Sequence, residues 1–272
     1  MNASSARDAR LAALRAEINA IESAGFAGGD RPCLAFGVAE VDARLAGGGL
    51  AAGLHEASAA APSLGDEAAA TLFLASIAAR FSRREGAAGQ VLWALARRDL
   101  FAPGLAQAGL TPDRLLYAQC RNDEEVLAVM EEGLRHGALA AVIGEAGRAG
   151  MASLRRLQLA AEEGGTAALL LRRWRKVGAD PLGHPSAALT RWRIACAPSA
   201  PLPFAAEIGD GLGRARWQVA LVRQRSGPPH EWLLEAPDAE ARLALAARSG
   251  DRPDQAGRAP LPLAADVRAQ AA

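Results

Sequence analysis

The spacing of apolar and polar positions changes once along the middle of the chain, and this change separates two kinds of secondary structure. Between residues 33 and 171, short apolar runs typical of buried strands alternate with segments of helical periodicity. Strands are predicted at 53–57, 90–95, 115–118, 139–143 and 166–171, with helices near 66–84, from Asn122 onwards and at 152–163. This alternation predicts a mostly parallel β-sheet with helices on both faces.

The region after residue 190 follows a different pattern. Strands are predicted at 191–195, 215–223 and 231–235, and the intervals between them show no helical periodicity. The Ser-Gly-Pro-Pro sequence at 226–229 favours a hairpin turn. An antiparallel flank is therefore expected after the parallel core.

The two ends of the chain differ from the middle. Residues 4–24 have the spacing of an amphipathic helix whose apolar stripe consists of Leu11, Leu14, Ile18 and Ile21. This narrow stripe indicates either a docking arm or a helix packed on its own domain. From Ser249 the chain is rich in Pro, Ala, Arg and Asp, and is expected to be disordered. The predicted divisions are an arm and linker at 1–30, a core at 31–240 and a tail at 241–272.

Composition narrows the classes of function. Half of the 272 residues are apolar and the net charge is +1, whereas proteins that wrap nucleic acid are usually more basic. No apolar run approaches the roughly 20 residues of a membrane span. The three cysteines have no paired spacing, which favours a reducing compartment, and a cytoplasmic location is expected. The four histidines show no metal-ligand spacing, and His55 with Glu56 is expected to be a satisfied core pair.

Several stretches between residues 36 and 235 resemble, in order, blocks of the RecA core. The matching blocks are 36–42, 47–50 with Gly53, 54–56, 99–119, 137–143 and 217–228. The first two resemble the lead-in to the RecA phosphate-binding loop. The resemblance implies a RecA-like α/β core, with a mostly parallel sheet flanked by helices, C-terminal antiparallel strands and an N-terminal helical arm.

The segment that matches the phosphate-binding loop is degenerate. Such a loop needs glycines whose amides surround phosphate, a lysine, and a Ser or Thr for magnesium. Residues 57–67 contain no lysine and one late glycine, and they end in two carboxylates that would repel a nucleotide. The degenerate region comprises Ser58, Ser63, Gly65, Asp66 and Glu67.

Two further elements of ATP hydrolysis depart from the RecA pattern. The magnesium-organising acid expected after the strand at 139–143 is displaced, because Gly144 precedes Glu145. The water-activating glutamate expected after residues 91–92 is absent, and Trp93 follows instead. Since phosphoryl transfer depends on electrostatic positioning, we predict no catalysis and no cofactor.

A further set of motifs comprises 47–50, 54–56, 91–93, 101–105, 155–160, 190–193, Trp217 and 231–232. In this combination they resemble the ImuA family. The resemblance implies a non-catalytic accessory role in SOS-induced translesion synthesis and mutagenesis. The implied partners are an ImuB-like inactive Y-family polymerase relative and the RecA filament, and indirectly an error-prone C-family polymerase.

Two arginines are candidates for contact with RecA. Arg223 and Arg225 correspond to two lysines that, in RecA, reach across the filament interface to the neighbour's nucleotide. A chain with one RecA-like face could join a filament end and stop growth there. The alternative is that both are solvated residues of an edge strand.

Contact with DNA is left open by the sequence. Arg173, Arg175 and Lys176 surround Trp174 and are candidate DNA contacts. In extended strands, however, Trp174 and Trp192 would face inward and their neighbouring arginines outward. The remaining alternatives are a RecA-type recombination protein that binds ATP and DNA, and a cell-division inhibitor.

Overall fold

The structure is a computed structural model that describes Arg10 and residues 33–84, 89–202 and 211–246. The predicted docking stripe of Leu11, Leu14, Ile18 and Ile21 lies outside these residues, as does the predicted tail from Ser249.

A short lead-in positions the first strand. It contains helix α1 (Ala39–Asp42) and a 3₁₀ turn at Ala46–Gly48. Gly47 has a φ of 71°, a conformation that favours glycine. A side chain on Gly49 would collide with the backbone of Leu34. The glycine-rich turn therefore allows two backbone segments to approach closely, in the place that the sequence predicts.

Strands and helices then alternate as the apolar periodicity predicts. The elements are β1 (Gly53–Ala59), α2 (Leu64–Ser82), β2 (Val91–Leu95), α3 (Ala102–Gln107), a 3₁₀ turn (Pro112–Arg114), β3 (Leu115–Gln119), α4 (Asp123–His136), β4 (Ala141–Ala146), α5 (Met151–Glu163), β5 (Ala167–Arg172), β6 (Thr190–Ala197), β7 (Arg216–Gln224), β8 (His230–Glu235) and β9 (Ala244–Leu245).

Local polar groups determine where α4 begins and ends. The Asn122 side chain accepts a hydrogen bond from the amide of Glu125 at 2.9 Å. The Glu125 carboxylate in turn accepts one from the amide of Arg121 at 2.7 Å. The helix ends at Gly137, whose φ is 69°. These contacts confirm the predicted helix start at Asn122.

The strands of the described ranges form one sheet in the order β3-β2-β4-β5-β1-β6-β7-β8-β9. Pairing is parallel from β3 to β6 and antiparallel from β6 to β9. The predicted mostly parallel sheet with an antiparallel flank is confirmed. The strand predicted at 191–195 was assigned to the antiparallel flank. The corresponding strand β6 pairs parallel with β1 and antiparallel with β7, so the change from parallel to antiparallel pairing occurs between β6 and β7.

Helices cover both faces of the sheet. On the α2 face, the ring centroid of Trp192 is 5.7 Å from that of Phe73 and 6.2 Å from that of Trp232. On the opposite face, Met130 of α4 and Leu154 of α5 are buried. Since Phe73, Trp192 and Trp232 belong to one cluster, the parallel and antiparallel parts of the sheet share a core.

The ordered core continues past the boundary that the sequence predicts at residue 240. Ala241 and Leu243 are buried, and β9 pairs with β8. A strand of two residues is too short to give a periodic signal, which explains why the sequence places this segment in the tail.

Candidate functional site

The candidate site lies at the carboxyl edge of the parallel strands, where β1 leads into α2. In nucleotide-binding proteins the amides at such a helix start hold phosphate. Here the Ser63 hydroxyl accepts a hydrogen bond from the amide of Asp66 at 3.2 Å. The Ser63 carbonyl accepts one from the amide of Glu67 at 3.0 Å. Two amides of this first turn are therefore bound by Ser63 itself.

The five predicted residues of the degenerate loop divide into two groups. Ser58 is buried in β1 and donates to the carbonyl of its neighbour Ala59. Ser63, Gly65, Asp66 and Glu67 lie together at the start of α2. The Asp66 carboxylate points towards β6, where it accepts a hydrogen bond from the amide of Cys196 at 2.8 Å.

Arg173, directly after β5, connects carboxylates from three other segments. Its guanidinium lies 2.7 Å from the Glu145 carboxylate on β4, and it also pairs with Glu67 of α2. Asp99, which follows β2, is 3.8 Å away. The indole of Trp93 donates to the other oxygen of Glu145 at 2.9 Å. These contacts, here called the Arg173 cluster, join the ends of β2, β4 and β5 to the start of α2.

The electrostatics of the Arg173 cluster disfavour an anion at the helix start. Burial raises the pKa of Glu145, although Arg173 and Trp93 oppose this shift. Burial disfavours the charge of Arg173, but the carboxylates of Glu145 and Glu67 raise its pKa overall. A guanidinium stays charged in proteins, so one cation faces three carboxylates. Phosphate would meet repulsion here.

The sequence did not anticipate this role of Arg173. It was a candidate DNA contact, yet its guanidinium points into the molecule, whereas Arg175 and Lys176 are exposed. Glu145 at the end of a buried strand and Glu67 at the start of a helix, with no lysine nearby in sequence, were a signal that a cation is needed. Only the fold identifies that cation as Arg173.

A second charged group is buried on the α5 face of β1. The Glu56 carboxylate accepts from Arg172 of β5 at 2.8 Å and from Arg191 of β6 at 2.7 Å. All three side chains are buried, and Arg172 Nε and Arg191 Nη2 have no hydrogen-bond partner. The expectation that Arg191 faces solvent is therefore wrong, because Glu56 draws it inward.

His55 does not interact with Glu56, since consecutive strand residues face opposite sides. Its Nε2 donates to the carbonyl of Ala51 at 2.9 Å, and its Nδ1 accepts from the Thr190 hydroxyl at 2.8 Å. The indole of Trp192 donates to the same hydroxyl at 2.7 Å. Burial lowers the pKa of His55 to about 4. His55 and Glu56 are thus separate core residues, each satisfied elsewhere.

A basic cleft lies beside the candidate site, at the ends of β4 and β5. It has a volume of ≈ 500 Å³ and its lining includes Arg148, Arg175, Lys176 and His184. Residues 179–181 and His184 form one wall. Asp180 in this segment pairs with Arg193 at 2.6 Å. The cleft therefore has both cationic side chains and an anchored wall.

The two arginines predicted to contact RecA lie near the opposite edge of the sheet. Both are exposed, and Arg223 lies at the end of β7, next to the start of β6. One guanidinium nitrogen of Arg223 donates to the carbonyl of Ser186 at 2.9 Å. The Arg225 amide donates to the carbonyl of Leu189 at 2.9 Å. Arg223 is therefore held through its guanidinium and Arg225 through its backbone amide, and both residues are exposed.

Neither a metal cluster nor a membrane-spanning helix is found in the parts of the chain that the structure describes. No group of three or more His, Cys, Asp or Glu side chains there could hold a metal ion. No helix in those ranges has the length and apolar character needed to cross a bilayer.

Known proteins provide an independent comparison. No protein-family model matches the chain. Protein ImuA of Caulobacter vibrioides is 39% identical over 216 residues, which span 76% of this chain and 85% of that protein. The values are the same for strain NA1000 / CB15N and strain ATCC 19089 / CIP 103742 / CB 15.

A solved structure supports the fold separately. The RadB recombinase matches with a TM-score of 0.52 at 15% identity, covering 79% of this chain and 100% of its own. This likeness concerns the fold alone, and it confirms the predicted RecA-like core. The identity to Protein ImuA over most of both chains shows that the chain belongs to the ImuA family.

Proposed function

We propose that this chain is a non-catalytic RecA-like accessory protein of SOS-induced translesion DNA synthesis and mutagenesis. It acts in the cytoplasm by binding an ImuB-like inactive Y-family polymerase relative and RecA, and reaches an error-prone C-family polymerase indirectly. Membership of the ImuA family and the RecA-like fold support an accessory role in mutagenesis.

The observation that carries the non-catalytic part is the Arg173 cluster. Glu145 lies at the end of β4, where a nucleotide-binding site would use an acid for magnesium, and Glu67 lies at the start of α2, where such a site would hold phosphate, but here both bind Arg173. Lys176, the one lysine of the sequence, is exposed beyond β5 rather than in the loop before α2. Nucleotide binding would require these buried ion pairs to break, which supports a protein that works through partners.

The RecA-binding part is supported by the outward charges of Arg223 and Arg225. Filaments grow by heterologous, head-to-tail contacts, so a subunit that offers one such face stops growth at that end. This chain keeps two cations at the position that matches the RecA interface, while its own helix start is capped by Ser63. A small number of molecules would then affect a long filament.

The experiment is a measurement of ATP turnover by RecA on single-stranded DNA, with and without this protein, and by this protein alone. We expect no ATP turnover by the chain alone. We expect RecA turnover to fall when far less than one molecule of this protein is present per RecA subunit. Turnover by the chain alone would overturn the non-catalytic part. Unchanged RecA turnover at equal stoichiometry would remove RecA as a partner and leave ImuB, tested by co-purification.

Single-strand DNA binding is a second candidate function, favoured by the basic cleft. Arg148, Arg175 and Lys176 line it without an ion-pair partner among the described residues. Fluorescence anisotropy of a labelled oligonucleotide at rising salt distinguishes this function. Affinity that falls steeply with salt, and that is lost on reversing Arg148 and Lys176, would support it.

A further inference from the structure

A groove beside the Arg173 cluster, here called the α2 groove, has the chemistry of a docking site. It has a volume of ≈ 570 Å³ and lies between the first turns of α2, the segment at 97–105 and the segment at 173–177. Arg173 and Glu67 form part of its lining, so the ion pairs that fill the helix start also hold the groove in shape. Trp174 fixes the third wall, since its indole donates to the carbonyl of Ala59 at 2.9 Å.

Exposed apolar side chains are concentrated around this groove. Leu64 is 93% exposed, Val177 84% and Phe101 71%, and all three line it. They are three of the four most exposed large apolar side chains in the described ranges. Scattered exposed apolar residues are normal, but a cluster at one groove marks an interaction surface.

The outer rim of the α2 groove is positively charged. Arg97, Arg175 and Lys176 are exposed on it, and none of the three is ion-paired within the described residues. The carboxylates of the lining, Glu67 and Asp99, face Arg173 instead. Because Arg173 already pairs with these carboxylates, the three rim cations supply the unpaired positive charge of the groove.

We propose that the α2 groove binds a short acidic segment of a partner protein, an amphipathic helix with apolar anchors on one face and carboxylates beside them. Apolar anchors fit between Leu64, Phe101 and Val177, and the carboxylates pair with the rim cations. Two of these three anchoring contacts are aliphatic and cannot stack on nucleotide bases, which favours a protein over a nucleic acid.

The ends of this chain do not have the matching charge. The predicted arm at 4–24 has three acidic and three basic side chains, and residues 247–272 have three acidic and four basic ones. Neither of these two segments has an excess of carboxylates, so we assign the acidic segment to another protein. This inference rests on the proposed function only in that the chain works through partners, and it uses none of the residues assigned to RecA.

The test uses the full chain and a labelled probe peptide of about 18 residues, with leucines at i, i+3, i+4 and i+7 positions and glutamates between them. A matched peptide carries lysine in place of each glutamate. We expect the glutamate peptide to bind at least ten-fold more tightly than the lysine peptide in fluorescence anisotropy. Equal affinity for both peptides would overturn the proposal.

Variants of the protein locate the binding. Leu64→Ser with Phe101→Ser should weaken binding of the glutamate peptide at least ten-fold. Arg175→Glu with Lys176→Glu should weaken it by a similar factor. Leu159→Ser removes an exposed leucine on α5 and should leave binding unchanged. Far-UV circular dichroism checks that each variant is folded. Binding that survives both double substitutions would place the peptide elsewhere and overturn the assignment.

The same variants test two other possible occupants of the α2 groove, a nucleic acid and a second copy of this chain. If oligonucleotide binding, rather than peptide binding, is lost in Leu64→Ser with Phe101→Ser, the groove belongs to nucleic acid and the proposal fails. If sedimentation shows self-association that this double variant abolishes, the occupant is a second copy, and the proposal also fails. Loss of peptide binding with RecA inhibition intact separates this inference from the RecA contact.

Discussion

Two neighbouring residues of β1, His55 and Glu56, are both buried, but they face opposite sides of the sheet and need opposite environments. The Glu56 carboxylate lies between two guanidinium groups, Arg172 and Arg191. A buried ion pair of this kind contributes little net stability, but removal of one partner is costly. The two ion pairs of Glu56 connect β1 to β5 and to β6, whereas burial lowers the pKa of His55 and favours its neutral form.

The pH dependence of stability should reveal His55. Its folded pKa of about 4 lies below the value of about 6.5 expected in the unfolded chain. Stability from the neutral ring is thus present above about pH 6.5 and lost as the pH falls towards 4. We expect the free energy of urea unfolding of the wild type to fall, relative to His55→Gln, by up to ~3 kcal/mol over this range.

A matched histidine provides the control for this measurement. His184 is exposed, so His184→Gln should keep the pH slope of the wild type. Identical slopes for the wild type and His55→Gln would mean that the imidazole does not titrate as its burial implies.

Among the secondary-structure elements, the contact of α4 with β4 depends on a missing side chain. A Cβ on Gly144 would collide with Met130, whose side chain fills the space over the strand. Met130 is buried in the cluster on this face of the sheet. The Met130 side chain therefore occupies the space that a side chain at position 144 would need.

Gly144→Ala should lower the free energy of unfolding by about 1–3 kcal/mol, because the added methyl overpacks the contact. Met130→Ala alone should cost about 2–5 kcal/mol through the cavity it leaves. The double variant should cost less than the sum of the two, since the new methyl occupies part of that cavity. Denaturant unfolding of all four proteins measures the coupling, and strict additivity would contradict the proposed contact.

Element boundaries followed from local signals where such signals exist. The Asn122 cap and the turn at 226–229 depend on neighbouring residues, and the structure confirms both, with β7 and β8 pairing across that turn. Helix α3 (Ala102–Gln107) was not predicted, because six residues give less than two turns of periodicity.

In the whole molecule, the two proposed partner surfaces lie at opposite ends of the parallel strands. The α2 groove lies at the carboxyl ends of β1, β2 and β5, while Arg223 and Arg225 lie beside the start of β6. Strands of five to eight residues put roughly 20 Å between the two edges. One chain has room to hold two partners at once.

The two surfaces should therefore fail independently. Arg223→Glu with Arg225→Glu should abolish the effect on RecA turnover and leave binding of the glutamate peptide within two-fold of the wild type. Leu64→Ser with Phe101→Ser should do the reverse. Arg155→Glu with Arg156→Glu, a matched charge reversal on α5, should change neither measurement. Loss of both activities in either double variant would indicate one shared surface.

The sequence by itself determined the order of strands and helices, the lead-in with its glycine-rich turn, the absence of a lysine before α2 and the displacement of Glu145. These features are local, because they depend on periodicity, caps and residue types within a few positions. They also carried the resemblance to the ImuA family, which the identity to Protein ImuA confirms.

The tertiary structure decided which residues meet across the sheet. Arg173 is 28 positions from Glu145 and 106 from Glu67 along the chain, so no local pattern joins them. The same holds for Arg191 and Glu56, and for the apolar residues of the α2 groove, which come from three separate segments. Adjacent parallel strands bring such distant residues together at one edge, and this arrangement depends on strand order rather than on any single stretch of sequence.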